Sequence, residues 1–131
     1  FNTLLTYVVD QGWHDKDFLV SMTFSGPESG TTTMLLPRRL CRTMAANALG
    51  VALNRVKPED TEDAARELLN VFTGRLTFEL SGPKEITELT VPELRSLSKK
   101  ECLDYCRQPD VVRLTAEGTT LAARLLSHGR S

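Results

Sequence analysis

Residues 64–76 read AARELLNVFTGRL, and the spacing of their apolar side chains predicts a long amphipathic helix at the centre of the fold. At about 100° per residue, five apolar side chains cluster within about a third of the helix circumference; they are Ala65, Leu68, Leu69, Phe72 and Leu76. This stripe is expected to face the core. Asp60 or Thr61 can serve as the N-cap, and the helix is expected to run to about Thr77.

The opposite face of the same helix carries polar side chains and a glycine. Asp63, Glu67, Asn70 and Gly74 lie within about 60° of one another, so Glu67 and Asn70 at i, i+3 are expected to project side by side into solvent. A glycine inside a helix costs roughly 1 kcal/mol relative to alanine. Gly74 therefore calls for a reason, such as the close approach of another backbone.

A β-hairpin and a first helix precede this long helix. Residues 18–24 alternate apolar and polar side chains in their second half, and residues 31–36 resume β-type side chains after a turn at residues 25–30 that contains glycine and proline. Pro37 suits the first turn of a helix, and Gly50 suits a left-handed C-terminal cap. The segment between them is therefore predicted to be helical.

The remaining segments predict shorter elements. Residues 4–9 are expected to form a strand or a helix tail, and residues 85–89 a short strand. Residues 98–107 are expected to form a short polar helix or a loop. A closing hairpin is predicted from residues 111–115 and 119–126, which flank a turn. Strands, two central helices and further strands indicate an α+β domain in which helices pack on a sheet.

Composition excludes several classes of function. The chain has 131 residues, with 16 Lys+Arg against 17 Asp+Glu and 6% aromatic residues. This composition does not predict the basic surface or the stacking aromatics of nucleic-acid-binding proteins, so no nucleic-acid partner is expected. No apolar run approaches the roughly 18 residues of a membrane span, so no membrane partner and a cytoplasmic location are expected. Cys41, Cys102 and Cys106 are expected to be reduced thiols rather than metal ligands, because no Cys-x-x-Cys motif is present.

Several segments together resemble the CheX branch of the CheC/CheX/FliY chemotaxis phosphatase family. They are Val20–Gly26, Gly30, Leu36–Pro37, Asn47–Gly50 and Glu67–Gly74, in this order and spacing. The resemblance covers residues 18–80 and implies one domain over residues 1–131. The implied fold is an antiparallel β-sheet with two long helices packed on one face. The family's N-terminal helix is expected to be absent here or reduced to residues 1–5.

The resemblance also implies a function in chemotaxis or related two-component signalling. Members of the family remove phosphate from the aspartyl phosphate of a CheY-type response regulator receiver domain. Glu67 would pair with a receiver lysine, Asn70 would orient the attacking water, and Asp63 and Gly74 would contribute to binding the partner. The enzyme would need no cofactor of its own, because the Mg²⁺ belongs to the receiver. Met44 stands three residues before Asn47, so this chain has one such motif; CheX-like members of that kind pair as homodimers.

Two alternatives remain open at this point. The chain could be a CheX-like adaptor that docks onto a receiver with little activity, in which case Asn70→Ala would leave its cellular role intact. It could also be an unrelated α+β interaction domain in which the Glu-x-x-Asn motif is coincidental. Arg38, Arg39 and Arg42 could form a solvated helix face or a docking patch.

Overall fold

A computed structural model describes residues 12–82, 87–116 and 118–130. Two predictions, the strand at residues 4–9 and the shortened helix at residues 1–5, lie outside these ranges. The elements in chain order are β1 (Asp17–Ser25), β2 (Glu28–Leu36), α1 (Arg38–Leu49), a 3-10 turn (Leu53–Arg55), α2 (Pro58–Ser81), β3 (Glu88–Leu89), β4 (Glu93–Leu97), α3 (Lys99–Cys106), β5 (Val112–Ala116) and β6 (Thr119–Arg130). None of the helices described is long and apolar enough to cross a membrane.

The strands form one antiparallel sheet in which β2 lies between β1 and β6, and β5 forms one edge. Both predicted hairpins, β1–β2 and β5–β6, are confirmed. The other edge is shared by two short strands, because β3 pairs with Phe24 and Ser25 whereas β4 pairs with Asp17–Ser21. The β4 strand was not predicted. Its sequence, ELRSL, is mostly polar, as is common for an edge strand that faces solvent.

Helices cover both faces of the sheet. Alternate strand residues pack with α1 and α2 on one face, in a cluster formed by Phe18, Val20, Met22, Met34, Leu36, Leu40, Cys41, Ala65, Leu69, Leu121 and Ala123. The intervening residues pack with α3 on the opposite face, in a second cluster formed by Trp13, Leu35, Leu97, Cys102, Tyr105 and Ala122. The prediction of an α+β fold with two long helices on one face is confirmed. The short helix at residues 98–107 becomes α3 and covers the other face.

A buried aspartate caps the first helix. Pro37 occupies the N-cap position and supplies no side-chain hydrogen bond. The backbone N–H of Arg38 donates instead to Asp17 Oδ1 at 2.8 Å, and the N–H of His14 donates to Asp17 Oδ2 at 2.9 Å. The carboxylate is only 2% exposed, and these bonds compensate its burial. At the other end Gly50 has φ 67°, which confirms the predicted left-handed cap.

The long helix is four residues longer at its end than predicted and begins earlier. Lys57 is the N-cap and Pro58 the first helical residue, so the prediction of an N-cap at Asp60 or Thr61 is wrong. Asp60 lies in the first turn, where its Oδ2 accepts a hydrogen bond from the Lys57 backbone N–H at 3.0 Å. The proline decides the start, because its fixed φ and missing N–H suit the first helical position.

The buried face of α2 follows a spacing of four residues. Its members are Thr61, Ala65, Leu69, Thr73 and Thr77. Leu68 and Phe72 are only half-buried and pack on the border of the core, and Leu76 is also half-buried. The prediction that this stripe faces the core is therefore confirmed at Ala65 and Leu69, whereas Leu68 and Phe72 lie at the edge of the core. Three threonines occupy the remaining buried positions. A search for periodic apolar residues does not find them, because threonine is polar.

Candidate functional site

The exposed surface of α2 includes an outer ridge and a flank beside it. Five residues at a spacing of four form the outer ridge, and all are exposed: Asp63, Glu67, Val71, Arg75 and Glu79. The flank beside it carries Arg66, Asn70, Gly74 and Phe78, of which Asn70 and Phe78 are exposed. Glu67 and Asn70, three residues apart, are thus neighbours on the surface, as the sequence predicted.

The helix beneath this pair is firmly held on the sheet. Leu69, next to Asn70, is fully buried in the core between α2 and the strands. Thr73 Oγ1 and Thr32 Oγ1 on β2 share a buried hydrogen bond of 2.6 Å. Packing and a hydrogen bond therefore fix the rotation of α2 within one turn of Asn70. Functional groups mounted on such an element keep their geometry better than groups on a loop.

The side chains of Glu67 and Asn70 have no polar partner among the described residues. Across the residues that the structure describes, no ion pair or side-chain hydrogen bond uses either side chain. Asp63 differs, because its Oδ1 lies 3.1 Å from Arg66 Nη1. Arg66 also approaches Glu62, with Nη2 3.5 Å from Oε1. The carboxylate of Glu67 and the carboxamide of Asn70 can therefore meet an external partner without first breaking an internal contact.

An open depression lies beside the pair. One wall is formed by Asp63, Arg66, Glu67 and Asn70, and the other by Leu89, Thr90, Val91 and Pro92, which we call the 89–92 segment. This second wall was not predicted from the sequence. Its position depends on the pairing of β3 and β4 with β1, a contact between residues about 70 positions apart in the chain.

Gly74 has open space around it. A Cβ atom built on Gly74 would meet no atom of the described residues within 4 Å, apart from its own helix and chain neighbours. No other backbone in that part of the chain approaches it, so the fold supplies no reason for the glycine. Its part in binding a partner remains a prediction.

The cysteines do not form a site. All three are unpaired, and burial raises the pKa of Cys41 and of Cys102 to about 12 and that of Cys106 to about 11. A thiol reacts as its thiolate, so the raised pKa values make these side chains poor nucleophiles at neutral pH. In residues 12–82, 87–116 and 118–130 no cluster of three or more His, Cys, Asp or Glu side chains could hold a metal ion.

The arginines at the start of α1 are not equivalent. Arg38 is half-buried, lies 4.3 Å above the centre of the Phe18 ring and donates from Nε to the Lys16 carbonyl at 3.0 Å. Arg39 and Arg42 are exposed. Arg38 therefore has a structural task. Arg39 Nη1 lies 3.3 Å from His14 Nδ1, and Arg42 donates from Nη2 to the Leu53 carbonyl at 2.9 Å.

Comparison with known proteins decides the family. The family model described as "Chemotaxis phosphatase CheX" matches residues 18–112. The chain belongs to the CheX family. Its membership excludes the alternative of an unrelated α+β domain with a coincidental motif. Among functionally curated proteins, none matches this sequence.

Solved structures of CheX-family and related proteins share the fold. A chemotaxis protein CheX from Desulfovibrio desulfuricans superposes with a TM-score of 0.61 at 13% identity, covering 87% of this chain and 76% of the other. CheX in a CheX-CheY-BeF3-Mg complex from Borrelia burgdorferi gives 0.56 at 11% identity, with 88% and 79% covered. FliY from Thermotoga maritima gives 0.58 at 18% identity, with 92% and 69% covered.

Proposed function

We propose that this CheX-family protein hydrolyses the aspartyl phosphate of a CheY-type receiver domain, with Glu67 and Asn70 as the working residues. The observation that carries the proposal is the exposed, unengaged Glu67 and Asn70 pair on a helix fixed by buried contacts. The complex of CheX with CheY from Borrelia burgdorferi supports a receiver as the partner. The process would be chemotaxis or a related two-component pathway in the cytoplasm.

The reaction needs a positioned water more than it needs covalent help from the enzyme. Water attacks the phosphorus in line, the bond from phosphorus to the aspartate oxygen breaks, and inorganic phosphate and a free carboxylate are released. The Asn70 carboxamide oxygen accepts a hydrogen bond from the water, while its N–H₂ donates to a phosphoryl oxygen. A neutral carboxamide does not repel the dianionic phosphoryl group. Orientation of this kind can supply much of the rate gain.

The other residues on this surface serve docking. Glu67 pairs with a receiver lysine beside the phosphoryl group, and the receiver supplies the Mg²⁺, so the phosphatase brings no cofactor. Asp63 contributes by holding Arg66 at the depression. Gly74 leaves room for the receiver backbone. Each protomer has a single site, and we propose a homodimer in keeping with the CheX branch.

The test is the loss of phosphate from a purified receiver of the same organism. Wild type, Glu67→Ala and Asn70→Ala are compared with the spontaneous rate. Glu79→Ala is the matched control for Glu67, because Glu79 lies three turns further along the same exposed ridge. Asn47→Ala on α1 is the control for Asn70, because Asn47 is also an exposed helical asparagine.

Wild type and both controls should accelerate phosphate loss, and Asn70→Ala should return it to nearly the spontaneous rate, a loss of about 100-fold or more. Glu67→Ala should weaken binding as well as turnover. If no receiver loses phosphate faster with wild type, the phosphatase proposal is wrong. Binding to the phosphorylated form without acceleration would then identify the protein as an adaptor.

A further inference from the structure

Val91 is an apolar side chain with almost no cover. It is 82% exposed, more than any other large hydrophobic residue of the described chain. A single exposed apolar side chain is normal on a protein surface. Val91 differs because it lines the depression whose opposite wall carries Glu67 and Asn70. The exposed Val91 side chain therefore lies beside the groups that act in the proposed reaction.

The backbone on both sides of Val91 is bonded to β1. The Thr90 N–H donates to the Thr23 carbonyl at 2.9 Å, and the Thr23 N–H donates back to Thr90 Oγ1 at 2.9 Å. On either side, Leu89 pairs with Phe24 and Glu93 pairs with Ser21 on β1. Little conformational freedom is left to lose when a partner covers Val91, and this lowers the entropic cost of docking.

The two walls of the depression differ in chemistry. Asp63, Arg66, Glu67 and Asn70 make the α2 wall polar and charged, whereas Leu89, Val91 and Pro92 make the other wall largely apolar. An interface that joins polar groups to a well-positioned apolar anchor is typical of specific protein recognition. A partner that fits must present a polar, charged site with an apolar spot immediately beside it.

We propose that Val91 is a docking anchor for the phosphorylated receiver, forming with the α2 wall a surface in two parts. This inference rests on the proposed function, since the receiver's phosphorylation site is the polar site that would face the α2 wall. The α2 wall acts on the phosphoryl group, and Val91 contributes affinity for a neighbouring apolar spot on the receiver. Val91 is a binding residue, so its loss should change affinity rather than the chemical step.

The decisive variant is Val91→Asp, with Val112→Asp as its matched control. Val112 is also an exposed valine, 53% exposed, but it lies on β5 at the opposite edge of the sheet. Two quantities are measured for each variant. The first is the dephosphorylation rate as a function of receiver concentration, which separates KM from kcat. The second is the affinity for the receiver charged with beryllofluoride and Mg²⁺, which needs no turnover.

Val91→Asp should raise KM and the Kd about tenfold or more while leaving kcat within about twofold. Val112→Asp should have the KM and Kd of wild type. Val91→Ile, which keeps an apolar side chain at this position, should also bind as wild type does. Unchanged binding by Val91→Asp, or equal weakening by Val112→Asp, would overturn the inference. A change from dimer to monomer on Val91→Asp would also overturn it, because a second copy of the chain would then be the occupant.

The two proposals fail in different ways. If wild type dephosphorylates the receiver and Val91→Asp binds normally, only the docking inference is wrong. If wild type binds through Val91 without accelerating phosphate loss, docking stands and the phosphatase proposal fails. If wild type neither binds nor dephosphorylates any receiver, both are wrong.

Discussion

Thr32 on β2 and Thr73 on α2 share a hydrogen bond of 2.6 Å between their side-chain oxygens, and both residues are fully buried. Thr73 follows Asn70 by three residues and immediately precedes Gly74. The bond therefore fixes the rotation of α2 on the sheet at the level of the proposed site. It also satisfies two hydroxyl groups that would otherwise be buried at a cost.

Thr73→Val should destabilise the protein by about 1–3 kcal/mol, because it leaves the Thr32 hydroxyl buried without its partner. Urea denaturation measures the change. The double variant Thr32→Val/Thr73→Val should recover most of the loss, since both polar groups are then removed. A single variant as stable as wild type would show that the hydrogen bond does not anchor α2.

Leu69→Ala should lower the free energy of unfolding by about 2–5 kcal/mol, because Leu69 is fully buried in the row that faces the sheet. Val71→Ala, on the exposed ridge, should change it by less than about 0.5 kcal/mol. The two variants remove apolar atoms from positions two residues apart. Equal losses in chemical denaturation would mean that the assigned buried row is wrong.

Gly74→Ala should raise the free energy of unfolding by about 0.5–1 kcal/mol, because alanine favours the helix and its Cβ meets no described atom within 4 Å. The same variant should raise KM for the phosphorylated receiver if Gly74 leaves room for the partner. Thermal denaturation and steady-state kinetics give the two answers separately. An unchanged KM would remove Gly74 from the docking surface.

Stability should fall at alkaline pH because of buried weak acids. Burial raises the pKa of Cys41 and of Cys102 from 9.0, and that of Tyr105 from 10.0, to about 12 in each case. The folded state holds these groups neutral, so their contribution is complete below the unfolded pKa. It is lost as pH rises toward the folded pKa.

The free energy of unfolding should therefore decline from about pH 9 toward pH 12. Chemical denaturation at several pH values measures this slope. Cys41→Ala should make the slope shallower, because one buried acid is removed. An identical slope in the variant would assign the alkaline loss to other groups.

Local chemistry made much of the fold predictable. Glycine and proline at residues 25–30 mark the first hairpin, and Pro37 and Gly50 mark the limits of α1 to within a residue. Helical spacing was sufficient to place Glu67 and Asn70 together on the exposed surface of α2. These features depend on residues close in sequence, so a single chain reveals them.

Features that depend on distant contacts were missed. The mostly polar β4 is a strand only because it pairs with β1. The 89–92 segment reaches the site through the same pairing. Thr61 and Thr73 are buried because α2 crosses the sheet along a row of four-residue spacing, and Asp17 caps a helix 21 positions away. Each of these features depends on contacts between residues far apart in the chain, and the periodicity of apolar residues does not predict such contacts.

The most direct test of the proposed function measures Asn70→Ala in turnover and in binding with the same receiver. The predicted result is a dephosphorylation rate equal to the spontaneous one, with a Kd for the beryllofluoride-charged receiver within about threefold of wild type. That outcome would assign Asn70 to the chemical step. An Asn70→Ala variant that dephosphorylates the receiver as fast as wild type would contradict the account.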